Sequence, residues 1–580
     1  MPMAPMLSSR IPSPWRRAEA RFRPEACVLT QLPDRPPEPD PQEPTAALAL
    51  SASWSPFRHA VFTLLWVAMV ASNIGTWLQN AASGWLMTEL SGNPSTVALV
   101  QAAMALPVFL FGFPAGALAD IIDRRRLLLA TQLLTTPFIA GFAALVLFNQ
   151  ATPATLLAVT FVSGTAIALI LPTWQAVLPQ LVSQEELPSA VTLNSFGVSL
   201  SRVVGPALIG TVIAGLGMAA PFWLNAVSNV VMITAVLLWR VERREAPSLP
   251  SEHIGRAMLA GLRHARYNPE LRAALMRGGG FFPFAAAYWA LLPALARSQI
   301  GGGMQGYGIL LATIGVGSVA GTFLLPWLRE RMSADSLVVA GTVGTAGAMA
   351  LYAMAYDVPT ALAASLLAGL CWIAVLATIN VAAQASVPGW VRGRGLGVFA
   401  KVLFGSLTLG SVAWGQVAAA IGSSETLLAA AACLLVAIPL LRRCRLRIAE
   451  GVDVTPSMHW PAPVLAAEVR PDSGPVQIDI EYRIRPADRE AFLDVVRRLG
   501  AERLRNDAYD WAVYEDADDE GVFIETFHSA SWLEYLRQRE RITELGWELR
   551  KAATGFQIQG KPRVRHLIRV GRNGPQARTA

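Results

Sequence analysis

Among the polar side chains inside the long apolar stretches of this chain, nine stand out: Asn73, Gln79, Gln175, Arg202, Asn225, Asn229, Asn380, Gln384 and Lys401. A polar group among apolar neighbours is costly unless it has a partner or faces a cavity. Each is therefore a candidate either for holding a polar ligand or for hydrogen bonding between packed segments. Arg202 and Lys401 add full charges, and two cations beside one cavity would suit an anionic or multiply hydroxylated ligand. Their other reading is snorkelling, with the charge carried to a surface. Asp120 closes an apolar segment just before Asp123-Arg124-Arg125-Arg126. A carboxylate there can accept bonds from a neighbouring helix N-terminus or an arginine, latching two packed units at one end. Gly116, Asp120, Arg124 and Arg125 form this gating group. The alternative is that Asp120 only caps a helix and the arginines only set topology. Trp66, Trp77, Trp85, Phe281, Phe282, Tyr288 and Trp289 either line a pocket or sit at an interface with lipid.

Other chemistry is missing. Cys27, Cys371, Cys433 and Cys444 form no CxxC or metal spacing, and no GxxxxGK[ST] loop is present. No metal, cofactor or direct use of ATP is expected. No histidine lies deep in an apolar stretch and no Asp or Glu sits mid-segment, so the residues offer no obvious proton carrier.

The elements that must position these residues follow from composition. Of 580 residues 53% are hydrophobic and 15% charged, with mean hydropathy +0.41. An ordinary soluble domain carries about 25% charged residues, so this chain needs lipid as solvent. A soluble enzyme, a disordered chain and a fibre are excluded. The net charge of +7 matters by position and does not indicate nucleic acid.

Residues 1–56 read as a polar, proline-rich, disordered tail without a signal peptide. Apolar helices are expected near 58–88, 95–119, 126–148, 152–178, 187–215 and 218–240, then 272–298, 304–328, 335–356, 358–385, 395–421 and 424–441. The charged joint 241–271 divides them into a half at 57–240 and a half at 272–442. Arginines gather after even-numbered helices, at Arg124–Arg126, Arg243, Arg244, Arg256, Arg263, Arg329, Arg331, Arg392, Arg394, Arg442, Arg443, Arg445 and Arg447. The joint after the fourth helix, Gln184-Glu185-Glu186, is the exception; odd-numbered joints are nearly bare, with Glu89, Asp357, Glu425 and a single Arg297. The positive-inside rule then places both termini in the cytoplasm, with the chain spanning the cytoplasmic membrane. Gln175-Ala-Val-Leu-Pro-Gln-Leu-Val182 recurs as Gln384-Ala-Ser-Val-Pro-Gly-Trp-Val391, ending the fourth helix of each half. Two related halves suit alternating access about a site at mid-membrane.

After a linker at 443–474, residues 475–571 change character. A strand at 476–484, a helix at 486–503, a hairpin at 508–515 and 521–527, a helix at 530–553 and a strand at 563–570 give the order β-α-β-β-α-β of a ferredoxin-like module. The fold class expected is thus an all-α membrane protein of twelve spans in two six-helix halves, with a C-terminal α+β module.

Gly116-Ala-Leu-Ala-Asp120-Ile-Ile-Asp123-Arg124-Arg125-Arg126 resembles the loop signature of the major facilitator superfamily, with Asp123 where many members have glycine. Trp66, Asn73, Gly75, Trp77, Gln79 and Trp85, with Leu193-Asn194-Ser195 and Arg202-Val-Val-Gly205-Pro206, resemble its bacterial enterobactin- and macrolide-efflux branch. Gly197, Gly205, Pro206 and Gly210 resemble the antiporter glycine-proline signature, although Ile209 replaces one of its two closing glycines. Packed helices are the other reading of those small residues. The resemblance implies secondary active export of a small amphipathic molecule, usually by proton antiport. Trp511, Tyr514, Phe523–Phe527, Ser529 and Trp532–Leu536 resemble the dimeric α+β barrel family of antibiotic-biosynthesis monooxygenases. That likeness implies a cytosolic regulatory, dimerising or substrate-sensing domain. The rival readings are a membrane-anchored enzyme and a sensor that does not transport. The expected partners are a small-molecule substrate, the bilayer and a second copy.

Overall fold

The computed structural model describes residues 54–183, 185–239, 254–300, 303–388, 391–446, 469–470, 472–540 and 542–569. The tail expected at 1–56 falls almost wholly outside them. Twelve of the described helices are long and apolar enough to cross a membrane, which makes this a multi-pass membrane protein. The first half comprises α1 (Ala60–Leu90), α2 (Pro94–Ile121), α3 (Arg124–Leu147), α4 (Pro153–Val177), α5 (Leu187–Leu216) and α6 (Ala220–Leu238). A short helix, α7 (Ile254–Tyr267), precedes α8 (Pro269–Leu295), α9 (Gly303–Arg331), α10 (Ala334–Ala353), α11 (Val358–Ala385), α12 (Arg392–Ile421) and α13 (Ser423–Leu440).

Local chemistry sets the starts of these helices. Asn93, Asp123, Asn268, Ser333 and Asp357 each accept a bond from a first-turn backbone N–H. Thr152 and Thr155 form a reciprocal capping box, and proline fills the first turn of α2, α4, α5, α8 and α11. These residues satisfy or remove donors that a helix start leaves bare, which matters most where little water is at hand. The halves meet most extensively where α2 lies along α12 and α5 along α9.

The joint at 241–271 was expected as a polar connection; from Ile254 it is helical instead. Its end packs rather than floats, for Gly261, His264 and Ala265 are buried.

The C-terminal module contains β1 (Val476–Arg483), α14 (Arg489–Arg505), β2 (Tyr509–Glu515), β3 (Val522–Ser529), α15 (Trp532–Glu540), α16 (Glu544–Gly555) and β4 (Arg563–Ile568). Its sheet runs β2-β3-β1-β4, antiparallel throughout, with Ile478 opposite both Phe527 and His566. Alternate residues Val476, Ile478, Ile480 and Tyr482 point into a core shared with Phe492, Val496 and Leu499 of α14. The single helix expected at 530–553 is two helices. Thr543 is extended (φ −77°, ψ 163°) and its side chain accepts from the Gly546 N–H, so it starts α16 and cannot continue α15.

Candidate functional site

Helix α5 carries the residues that build the seam between halves. A methyl group at Gly197 would lie 2.8 Å from Val70, and one at Gly205 would lie 2.6 Å from the Trp77 Cβ, so only glycine lets α5 press against α1 there. On its other side α5 meets α9. A methyl at Gly210 would lie 2.7 Å from Gln305, one at Gly308 would lie 2.9 Å from the Pro206 carbonyl, and one at Gly315 would lie 3.2 Å from the Arg202 carbonyl. Arg202 thus sits between the two halves. Its guanidinium stacks 5.5 Å from the Trp77 ring centroid, and its Nε is buried without a partner.

Tyr288, on α8 of the other half, lies within electrostatic range of Arg202. The Tyr288 hydroxyl is buried with Trp289 beside it, its ring packed on Tyr352 and Trp372 of its own half; Ser411 Oγ, Asn80 Oδ1 and Ser83 Oγ are buried and unpaired. A buried polar atom without a partner costs about 1–3 kcal/mol unless water or a ligand reaches it. Of these groups Arg202 is the one whose contacts place it between the halves, and it marks the inter-half seam as a place for a polar guest. Lys401 lies at the second seam, 5.7 and 5.8 Å from the Phe109 and Phe113 centroids of α2.

The amides divide into distinct settings. Gln79 Nε2 donates to Ser163 Oγ at 3.0 Å while its Oε1 accepts from Asn225 Nδ2 at 2.6 Å. Asn229 accepts from Ser72 at 3.1 Å, and Asn73 donates to the Met69 sulfur. Gln79, Asn225 and Asn229 tie α1, α4 and α6 together inside one half, and none has its amide oxygen turned to a ligand. Gln384 donates to Asn380 one turn below on α11; Gln384 and Gln175 are exposed.

At the arginine-rich end, Arg125 donates through Nε to the Val236 carbonyl at 3.0 Å and through Nη2 to the Leu237 carbonyl at 2.8 Å. It closes the C-terminus of α6, a staple within one half rather than a link between halves. A methyl at Gly116 would meet nothing within 4 Å, and Asp123 caps α3. The Asp120 side chain lies outside the described residues. His59 and Glu186 bridge α1 to α5 at 2.7 Å, and that bond holds the Glu186 carboxyl below its usual range. In the second half Arg277 reaches Asp335 at 2.8 Å and the Cys444 carbonyl at 2.9 Å.

The opposite end is closed across the halves. Arg297, just past α8, donates to the Thr88 carbonyl of α1, and Trp85 stacks on Tyr307 of α9 at 5.9 Å. A methyl at Gly415 on α12 would lie 3.3 Å from Ser95 on α2.

Two six-helix halves packed along a seam that holds a buried guanidinium define a transporter architecture. The family model described as transmembrane secretion effector, within the major facilitator superfamily, matches residues 51–574, and the chain belongs to that family. The match takes in the C-terminal module. Among curated proteins the chain is similar to the multidrug efflux pump Tap of Mycolicibacterium fortuitum, 24% identical over 64% of this chain and 92% of that protein. It also resembles the staphyloferrin A transporter of Staphylococcus aureus (23%, over 44% of this chain and 64% of that protein) and the enterobactin exporter EntS of Salmonella choleraesuis (27%, over 51% and 70%). Among solved structures, a POT family transporter bound to a thioalcohol-conjugated peptide superposes with TM-score 0.56 at 10% identity, covering 66% of this chain and 95% of that one. A bacterial homologue of the human lysosomal transporter Spinster, inward-facing and unoccupied, gives 0.53 at 14%, covering 67% and 97%. These two likenesses speak for the fold alone.

Sequence reading passed over Asn80, Ser83, Ser411 and Tyr307, because a small hydroxyl or a tyrosine in an apolar helix carries no signal of which way it faces. It noted Arg297 only as an exception to a charge rule. Its position next to a helix end was the cue available.

Proposed function

We propose that this chain exports a small amphipathic molecule bearing negative charge or several hydroxyls, siderophore-like or drug-like, by alternating access across the cytoplasmic membrane. Arg202 carries the reading: a guanidinium at the seam, one face on Trp77 and its Nε buried and unpaired, within electrostatic range of Tyr288 from the other half. An anionic aromatic guest would meet the cation and the rings together. Lys401 supplies a second cation, and Gln175, Asn380 and Gln384 flank the path from the arginine-rich end.

With that end cytoplasmic, contacts of Arg297, Trp85 and Gly415 at the opposite end support an inward-facing state with the outside closed. Asp120, Gly116 and Arg124 are proposed to close the cytoplasmic side in the other state. The proposed driving force is proton antiport. The C-terminal module, monooxygenase-like in sequence, serves as a regulatory and pairing domain rather than a second active site.

The test is uptake into inverted membrane vesicles energised by a pH gradient, comparing a catecholate siderophore with a cationic dye. Wild type accumulates the siderophore, nigericin abolishes accumulation, and Arg202→Gln lowers it at least about tenfold at equal protein level, as the loss of one charge-assisted contact requires. Accumulation unaffected by Arg202→Gln would refute the substrate site.

A further inference from the structure

Helices α2 and α12 run antiparallel along one seam between the halves, and two phenylalanines of α2 sit against glycines of α12. A methyl group at Gly405 would lie 2.8 Å from the Phe109 ring, one at Gly397 would lie 2.9 Å from the Phe113 ring, and Gly415 faces Ser95 toward the closed end. Lys401 stands one helical turn from each of the first two glycines, on the same face of α12. Its ammonium lies over both rings, 5.7 Å from the Phe109 centroid and 5.8 Å from that of Phe113. Among the described residues it has no carboxylate partner, so the electron-rich ring faces take the place of a counter-ion. Lys401, Phe109 and Phe113 are all half-buried, so the ammonium is not sealed off. Pro107 and Pro114 bracket the two rings on α2. A proline inside a helix deletes a backbone hydrogen bond, so this stretch bends at lower cost than a regular helix.

We infer that Lys401 latches the halves in the state seen here and that an anionic guest releases it, a role that rests on the anionic guest proposed above. With no guest, the ammonium ties α12 to Phe109 and Phe113 of α2 and favours the arrangement in which Ser95 and Gly415 meet. An anionic oxygen offers the ammonium a charge-assisted hydrogen bond, which outweighs a ring face where water is scarce. Lys401 then turns from the rings to the guest, the tie between α2 and α12 is lost, and their outer ends are free to part. The charge of the guest thus sets when the outer end opens, and the empty protein stays shut. A neutral molecule of similar shape leaves the latch fastened.

The experiment is double electron–electron resonance on the full chain in nanodiscs, without a pH gradient and with the native cysteines replaced by alanine. Spin labels replace Gly92 and Ile421, at the ends of α2 and α12 away from the arginines. The guest-free wild type should give one short distance. Lys401→Met should add a longer one and move the ratio of closed to open about tenfold. Phe109→Leu with Phe113→Leu should match it, because leucine fills the space without an electron-rich face, whereas Lys401→Arg keeps the wild-type distance. The catecholate siderophore should bring the longer distance into wild type and change Lys401→Met no further; its fully O-methylated, uncharged form should do neither. Thermal unfolding checks each variant, and Lys401→Met decides if the double leucine variant fails to fold. An unchanged guest-free distance in Lys401→Met overturns the latch. A siderophore that accumulates in vesicles yet leaves the wild-type distance unchanged, or an uncharged form that lengthens it equally, overturns release by the charge of the guest. Should no siderophore accumulate, the transport proposal falls, and the guest-free comparison still decides the latch.

Discussion

The polar residues of the spans differ in what they lack. Gln79 and Asn225 satisfy each other and Ser163, whereas Arg202 keeps an unpaired Nε at the seam. Interhelical hydrogen bonds between membrane spans average about 0.6 kcal/mol, and an orphaned buried amide costs more, about 1–3 kcal/mol. Gln79→Leu should therefore lower the thermal unfolding midpoint in detergent. Combining it with Asn225→Leu should cost less than the sum of the single changes, because the second removes the orphan left by the first. Residue types in the sequence were enough to select Arg202 and Gln79 as polar intruders. They could not separate guest-facing from satisfied groups, since that depends on a partner more than 80 positions away, such as Ser163 or Asn225.

At the level of elements, close approach depends on glycine, and Arg297 supplies one of the contacts that close the opposite end. Gly205→Val would drive a branched side chain into Trp77 and the Ile74 carbonyl, separating α5 from α1. The expected result is a loss of folded protein in the membrane, read by fluorescence size-exclusion chromatography, with Gly205→Ala milder. Arg297→Ala removes the link from α8 to the Thr88 carbonyl at the closed end. Labelling of a cysteine placed at Tyr307 by a membrane-impermeant reagent should then rise; unchanged labelling would show that Arg297 does not hold that end shut. Span positions, the division into halves and the strand order were legible because hydropathy and period-two alternation are local signals. The helix α7 and the break at Thr543 were not. The first depends on burial against distant segments, and the second on one capping hydroxyl inside an otherwise helical pattern.

Across the whole molecule, α7 joins the module to the bundle. His264 is fully buried, with Nδ1 2.9 Å from the Arg505 carbonyl of α14 and Nε2 3.1 Å from Asn268 Nδ2, which also donates to the Ser386 carbonyl beyond α11. Nδ1 must donate to that carbonyl and Nε2 must accept from the amide, so only the neutral ring fits. Arg263 reinforces the joint, 3.2 Å from Asp507 and 4.9 Å from the Tyr509 centroid. Burial pushes the His264 imidazole down to about 4, below its usual 6.5. The unfolded or undocked state then binds more protons between those values, so stability rises with pH there. The joint is at full strength above about pH 6.5 and weakens as pH falls toward 4. Hydrogen exchange in α7 and the end of α14 should accelerate over that window, and His264→Gln should flatten the dependence. Exchange independent of pH, after correction for the intrinsic rate, would remove His264 from the joint.

The central claim is that the halves rock about the seam, and double electron–electron resonance tests it most directly. Spin labels at Glu185 and Arg331 report the arginine-rich ends of α5 and α9; labels at Leu216 and Gln305 report their opposite ends. On adding a transported siderophore with a pH gradient, the first distance should shorten while the second lengthens. Two distances that stay fixed, or that change in the same direction, would contradict alternating access in this protein.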